Sequence, residues 1–296
     1  MLDFRIDTFL CVCKHLNYTK AAAELCITQP AVSQHIKFLE NYYGQHLFTY
    51  DNRQLKLTEA GTALKDAMLS MRHDALHLKN YVLEGPHGRK NLNFGATLSI
   101  GEFLLPDRLA FFLSNSPSTQ VHFKLANTSS LLACLDEGII DFAFVEGNFA
   151  KDAYDYITLK KDPFIAVCGA DYPLPPVSGL TELFGCTLLV REEGSGTREI
   201  LENFLVQSGY RLESFIAVHE LNSPQIILNL LKRGCGISFL YRTVVEQELA
   251  QGTVREISVP DFNICHELNF IWRKNSIYRD FYKHILEELQ LYPPLS

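Results

Sequence analysis

The 296-residue sequence predicts an α/β protein in three parts: an α-rich N-terminal unit with a two-stranded wing, a long connecting helix, and a two-lobed α/β module. Three observations carry this reading. Two short helical patterns separated by a tight turn lie at 19–40. A proline-free heptad pattern runs from Thr58 to about Glu84. Beyond residue 91, short β-rich runs alternate with helical ones. The expected boundaries are 1–60, 61–88 and 89–296, with one lobe at about 91–162 plus 267–296 and the other at about 163–266.

In the N-terminal unit, Thr19 can cap a first helix, whose small apolar face is Ala22, Ala23 and Leu25. Thr28 can cap a second helix, with Pro30 in its first turn, where a missing N–H costs little. Val32, Ile36, Leu39 and Tyr43 form one stripe along it. The other face presents Gln29, Ser33, Gln34 and Lys37, amides and hydroxyls that suit base edges and a lysine that suits phosphate. This is a helix-turn-helix with the second helix as reader. An ordinary helical hairpin carries similar stripes, so residues 43–61 matter for the distinction. Gly44 suits the left-handed position after a helix. Asp51-Asn52 suits a turn between Leu47-Phe48 and Leu55-Lys56-Leu57, and Thr58 can cap the next helix.

These residues carry a family resemblance: Ala22-Ala23-x-Leu25, Thr28-Gln-Pro-Ala-Val-Ser33, Ile36-x-x-Leu39-Glu40, Gly44-x-x-Leu47-Phe48, Arg53 and Leu57-Thr58-x-Ala60-Gly61. The chain resembles the LysR-type transcriptional regulators over its whole length. That resemblance implies a cytoplasmic DNA-binding regulator with a winged helix-turn-helix and a two-lobed effector module like periplasmic binding proteins. It further implies a dimer or tetramer, and RNA polymerase as a further partner. Thr19, Lys20, Thr28, Gln29, Pro30, Ser33, Gln34, Lys37, Arg53 and Lys56 are the expected DNA contacts. Two departures stand out. Tyr50 and Gln34 occupy positions where the family often carries arginine, which removes two potential phosphate charges.

Composition agrees with a globular, cytoplasmic regulator. No early stretch has the layout of a secretion signal, and no window approaches the ~18 apolar residues of a membrane span. The eight cysteines read as reduced thiols. Cys11, Cys13 and Cys26 fall in apolar helical patterns, and no metal-ligand spacing stands out, so no metal or cofactor is expected. The net charge of −7 divides unevenly: residues 1–90 hold 11 Lys and Arg against 9 Asp and Glu, a net +2, leaving −9 for the rest. A weakly basic reader predicts a shallow salt dependence of DNA binding.

Along the connecting helix, Leu57, Gly61, Leu64, Met68, Met71, Ala75, Leu78 and Val82 recur at alternating spacings of 4 and 3. Leu64, Met68, Met71, Ala75, Leu78 and Val82 form the expected dimer seam, flanked by Lys65, Asp66, Arg72, His73, Lys79 and Asn80. Such a pair would hold two readers over a roughly palindromic site. Glu84-Gly-Pro-His-Gly88 is the expected hinge.

In the module, strands are expected at 92–97, 121–125, 140–145, from Phe164 after Pro163, 187–190, 215–218, 237–240 and 267–272. Helices are expected at about 101–113, 129–137, 198–208, 224–232 and 278–290. The alternation predicts parallel sheets with ligands at strand carboxyl ends. The sharpest chemical signal is Glu193-Gly-Ser-Gly-Thr-Arg198, where Gly194, Ser195, Gly196, Thr197 and Arg198 open a helix whose free N–H groups suit an anion. Arg191 adds a second guanidinium. Thr97, Ser99, Asn127, Thr128, Glu146, Asn222 and Ser223 lie at the other strand ends. Gly95-Ala-Thr-x-Ser-Ile-Gly101 together with Gly194–Arg198 is similar to the sulfur- and carbon-assimilation branch of the family, which implies a small oxyanion, carboxylate or phosphorylated metabolite as effector. Glu146 runs against this, since a carboxylate beside an anion is costly unless protonated or turned away.

Other readings are a redox-sensing regulator using a cysteine, a transport-type receptor, and a hydrolase using Ser195, Cys186 or Cys235. The fused reader opposes the receptor. The missing Gly-x-Ser-x-Gly frame, and the lack of any link to His219 or His266, oppose the hydrolase. A fragment of residues 1–90 is expected to be dimeric at micromolar concentration in sedimentation equilibrium; a monomer would remove the heptads' assigned role.

Overall fold

The computed structural model describes residues 3–84, 91–146, 149–174, 176–260 and 262–292. The hinge expected at 84–88 lies outside these beyond Glu84. The chain divides into two compact units. One holds Met1–Gly88 with Asp136–Gly138 and Arg273–Tyr278, and the other the remainder.

The first unit opens with α1 (Phe4–His15), α2 (Tyr18–Glu24) and α3 (Gln29–Tyr43). Asn17, not Thr19, caps α2: its side chain accepts from the Lys20 N–H, and Thr19 sits inside the helix. Asparagine is the better cap and comes two residues earlier. Thr28 caps α3 by accepting from the Ala31 N–H, and Gly44 closes it at φ 66°. Val32, Ile36 and Leu39 are buried as the stripe requires, but Tyr43 is exposed in the last turn. On α2 the buried pair is Ala21 and Ala22, with Ala23 exposed, so the apolar face is rotated by one residue.

The wing pairs β1 (Phe48–Asp51) with β2 (Gln54–Leu57). Asp51 opposes Gln54, so the turn residues are Asn52 and Arg53, both at positive φ. A two-residue hairpin needs that mirror-image geometry to match strand twist. The turn therefore lies one residue later than expected, and Arg53 stands at its tip.

The Thr58 hydroxyl accepts from the Gly61 N–H and opens α4 (Glu59–Glu84), a helix roughly 40 Å long. Its apolar stripe divides along its length. Met68 and Leu69 are buried in the reader core with Phe9, Val12, Val32 and Ile36, and Leu57 and Leu64 pack against it. Met71, Ala75, Leu78 and Val82 remain exposed. Leu64 and Met68 are thus spent within the chain. Two expected flanking residues are also engaged: His73 is buried, and Arg72 donates to the Asp136 carbonyl at 2.7 Å.

The second unit is a nine-stranded sheet of order β4-β3-β5-β11-β6-β9-β7-β8, with β10 on β6. Its strands are β3 (Asn91–Ala96), β4 (Gln120–Leu125), β5 (Phe142–Glu146), β6 (Tyr154–Gly169), β7 (Thr187–Arg191), β8 (Ala217–Leu221), β9 (Ile237–Tyr241), β10 (Val254–Ile257) and β11 (Ile264–Arg273). The sheet is mixed, where parallel pairing was expected. β3 pairs parallel with β4 and β5, and β7 with β8 and β9, whereas β5–β11, β6–β9 and β6–β10 are antiparallel. β6 runs through Pro163, one residue before its ladder with β9 begins at Phe164.

Around the sheet lie α5 (Leu98–Phe103), α6 (Leu105–Asn115), α7 (Thr128–Glu137), α8 (Gly196–Gln207), α9 (Pro224–Leu231), α10 (Arg242–Ala250) and α11 (Arg279–Glu288). The single helix expected at 101–113 is two, divided where Pro106 opens α6. Helix α10 and strand β10 add to the elements expected from the sequence. Phe94 stacks on Phe142 and Phe142 meets Phe270 at a tilt, with ring centroids 4.9–5.0 Å apart and all three completely buried.

Gly61 shows how tightly the reader closes on α4: a Cβ there would stand 2.1 Å from the Leu47 carbonyl oxygen, a backbone atom that cannot swing away. Gly61→Ala is expected to destabilise the protein by about 1–3 kcal/mol, read as a lower melting midpoint in calorimetry.

Candidate functional site

On the reader, α3 carries Gln29, Pro30, Ser33, Gln34 and Lys37 along its outer face, all exposed except the half-buried Ser33. The Gln29 side-chain amide donates to the Ser33 hydroxyl at 2.9 Å, one turn on. Gln29, Ser33 and Lys37 join Tyr18, Asn41, His46 and Tyr50 around a concave surface of about 570 Å³. Of the last four only the Tyr50 position was marked by the sequence, because α2, the end of α3 and the wing meet only in three dimensions. Thr19 and Lys20 are exposed on α2, and Thr28 is exposed ahead of α3. Arg53 is exposed at the wing tip, while Lys56 is held by Asp51 at 2.7 Å, which partly neutralises it.

In the module, the expected cleft residues converge on one carboxylate. Glu146 ends β5 and is almost fully buried. The Ser99 hydroxyl, from α5, donates to Glu146 Oε1 at 2.9 Å. The Thr197 hydroxyl, from the first turn of α8, donates to the same oxygen at 3.2 Å. Thr128, opening α7, donates to the Glu146 carbonyl at 3.0 Å. Gly194 has φ 83°, and a Cβ on it would lie 3.2 Å from the Asn127 side-chain amide, so these two residues face one another. Ser195 is buried as the N-cap of α8, with no side-chain capping bond.

The burial is incompletely compensated. Glu146 Oε2 and the hydroxyls of Thr97 and Tyr241 are buried without a hydrogen bond of good geometry. Burial raises the Glu146 carboxyl above the usual carboxylate range. Ser99, the positive charge of Arg191, Thr197 and the neighbouring Thr97 pull against that rise. Arg191 itself is buried and clamped by both oxygens of Glu192 at 2.8 and 2.9 Å. Tyr241 is pushed well above its ordinary range by burial first, then by the negative charges of Glu146 and Asp162.

Three expected members stand apart from this cluster. Arg198 donates to Glu202 at 2.7 Å and pairs with Glu220, so its guanidinium is already occupied by carboxylates. Ser223 is spent capping α9, where it accepts from the Ile226 N–H at 3.3 Å, and Asn222 before it is exposed. Strand-end position alone does not say which way a side chain faces.

The comparisons with known proteins fall on the same two parts. Residues 5–62 match the bacterial regulatory helix-turn-helix protein, lysR family, and residues 85–290 match the LysR substrate binding domain. The chain belongs to the LysR family. It is therefore a DNA-binding transcriptional regulator with an effector-binding domain. It is 29% identical over 275 residues to the HTH-type transcriptional regulator CbbR of Rhodospirillum rubrum, covering 91% of this chain and 89% of that one. Among solved structures, it superposes on full-length LysG of Corynebacterium glutamicum with bound effector Arg at TM-score 0.61 and 19% identity, covering 98% of each chain. The CcmR regulatory domain of Synechocystis in complex with 2-PG matches 70% of this chain and all of that one, at TM-score 0.59 and 20% identity. Both LysR parts were legible in the sequence; Tyr241 in the site was not, because nothing local marks it.

An acid whose folded pKa lies above its unfolded value holds its proton more tightly when folded. The stability it allows is thus present below about pH 4.3 and declines as pH rises toward the folded value. Glu146→Gln is therefore expected to melt higher than the parent at pH 7, with the gap closing toward pH 4. A gap that does not change with pH would show that the carboxylate's charge costs nothing.

Proposed function

We propose that this protein is a cytoplasmic, dimeric LysR-type regulator, assembling further to a tetramer, whose module binds a small anionic effector at Ser99, Thr128, Ser195 and Thr197. It works by shifting the DNA-bound oligomer toward or away from productive contact with RNA polymerase, and not by catalysis. The observation that carries the effector class is the convergence of hydroxyls from α5 and α8 on one carboxyl oxygen of Glu146. The same donors suit an oxygen of an oxyanion or carboxylate, and the N-terminus of α8 adds backbone N–H groups aimed at negative charge. Two structural relatives are complexes with small effectors, CcmR with 2-PG and LysG with Arg. No helix among the described residues is long and apolar enough to cross a membrane, which agrees with the cytoplasmic reading.

Dimerisation through α4 rests on Met71, Ala75, Leu78 and Val82, the exposed remainder of the seam. A redox reading is less favoured. Burial pushes the Cys13 thiol up to about 12 and raises Cys168, and a thiol held protonated is a poor nucleophile toward peroxide.

An anion entering the cleft meets Glu146 already on its donors, so it has to displace the carboxylate or find it protonated. Anion affinity is accordingly expected to rise as pH falls, by up to about ten-fold per unit if one proton is taken up per anion. Calorimetric titration with sulfate, sulfite, phosphate and small carboxylates at pH 6 and 8 reads this directly. Ser99→Ala/Thr197→Ala should lose binding, and Glu146→Gln should bind without the pH slope. Equal affinity at both pH values in the parent, or full binding by the double variant, would overturn the assignment.

A further inference from the structure

The reader contains a second group of ligating side chains that takes no part in the DNA-facing surface. Cys11 and His15 stand one turn apart on α1, and Glu24 ends α2 opposite them. Cys11 Sγ, a ring nitrogen of His15 and a carboxylate oxygen of Glu24 all lie within 4.8 Å of one another. Ligand atoms around a tetrahedral zinc stand roughly 3.3–3.8 Å apart, given bonds of about 2.0–2.3 Å. Small side-chain rotations therefore bring these three to bonding distance without moving either helix. We propose that Cys11, His15 and Glu24 form a site for a divalent transition-metal ion, zinc being the ion that this mixed donor set suits, with water as the fourth ligand.

The surrounding contacts favour this arrangement over a plain ion pair. Glu24 divides its two oxygens: Oε1 accepts from Lys14 at 3.1 Å and Oε2 meets His15 Nε2 at 2.6 Å. A metal takes the place of the proton shared in the second contact and of the Cys11 thiol proton, which points to the Ala21 carbonyl at 3.8 Å. Lys14 stays on Oε1, fixing the carboxylate in the way that an outer partner orients a ligand. Cys11 is buried at the base, and His15 and Glu24 are 25% and 43% exposed by side chain, which leaves an entry path from solvent. On binding, the Cys11 thiol releases its proton to solvent as the sulfur–metal bond forms, the proton on His15 Nε2 moves to Nδ1 of a neutral ring or to solvent from a charged one, and no electron moves. One thiolate, one imidazole and one carboxylate select zinc or cobalt over magnesium or calcium, which prefer oxygen alone. Cysteine spacing alone hid the group, because its three members are of three residue types on two helices. Bound metal would cross-link α1 to α2 and stabilise the reader without touching DNA.

Cobalt(II) is the probe. The reduced full-length protein is expected to develop a thiolate-to-cobalt charge-transfer band that saturates at one equivalent and is abolished by Zn²⁺. Cys11→Ser should lose the band and bind Zn²⁺ at least about ten-fold more weakly, the loss that removing even an outer partner brings. A variant with the three exposed thiols replaced, Cys26→Ser/Cys235→Ser/Cys265→Ser, should keep both. No band in the parent, a band retained by Cys11→Ser, or a band lost with the exposed thiols would each overturn the site. If Cys11→Ser does not fold, Glu24→Gln decides, since that carboxylate is half-exposed: unchanged Zn²⁺ affinity there overturns the proposal.

Discussion

The module is organised around the buried carboxyl group of Glu146. A carboxylate sealed from water costs several kcal/mol unless donors reach it, and Glu146 receives two hydroxyls on one oxygen while the other oxygen has none. Those hydroxyls come from helices that follow different strands, so the contact ties together elements far apart in the sequence. Burial first, and then the nearby acids Glu146 and Asp162, raise Tyr241, while Arg191 eases Glu146. A site held together by an internal anion is poised for exchange with an external one, because both use the same donors and compete for the same space.

Economy of a different kind governs the first unit. One apolar pattern on α4 serves the reader core at its N-terminal end and stays uncovered toward its C-terminal end. The switch falls between Leu69 and Met71, where the three-helix core ends and the helix runs on. Gly61 permits this packing, since only a residue without Cβ lets α4 approach the Leu47 carbonyl so closely. The helix is thereby anchored to the reader through its first turns, and rigid along its length by its own hydrogen bonds.

Much of the candidate site is legible from the residues alone. Ser99, Thr128, Ser195 and Thr197 stand where strand ends and the Gly-Ser-Gly-Thr turn put them, and Glu146 is already discordant there as an acid among anion donors. Pairing is what residue order conceals. Arg198 looks free for an anion, but Glu202 one turn on and Glu220 on β8 already hold it. Lys56 and Arg72 are engaged in the same manner. Charges read from a sequence carry no record of their partners when those partners come from other elements.

By itself the sequence determined the local events: helix caps at Thr28 and Thr58, the left-handed stop at Gly44, the heptad rhythm of α4, and the order of most strands and helices. These depend on neighbours within a few residues, so spacing and residue type suffice to read them. Tertiary structure alone decided that the sheet is mixed, that β6 continues through Pro163, and that part of the α4 seam is internal. It also decided that the hydroxyls of Ser99 and Thr197, expected to await a ligand, are already occupied by Glu146. Each of those outcomes depends on which distant segment arrives alongside, and burial, not spacing, determines whether a charge found there is neutralised, satisfied or left exposed.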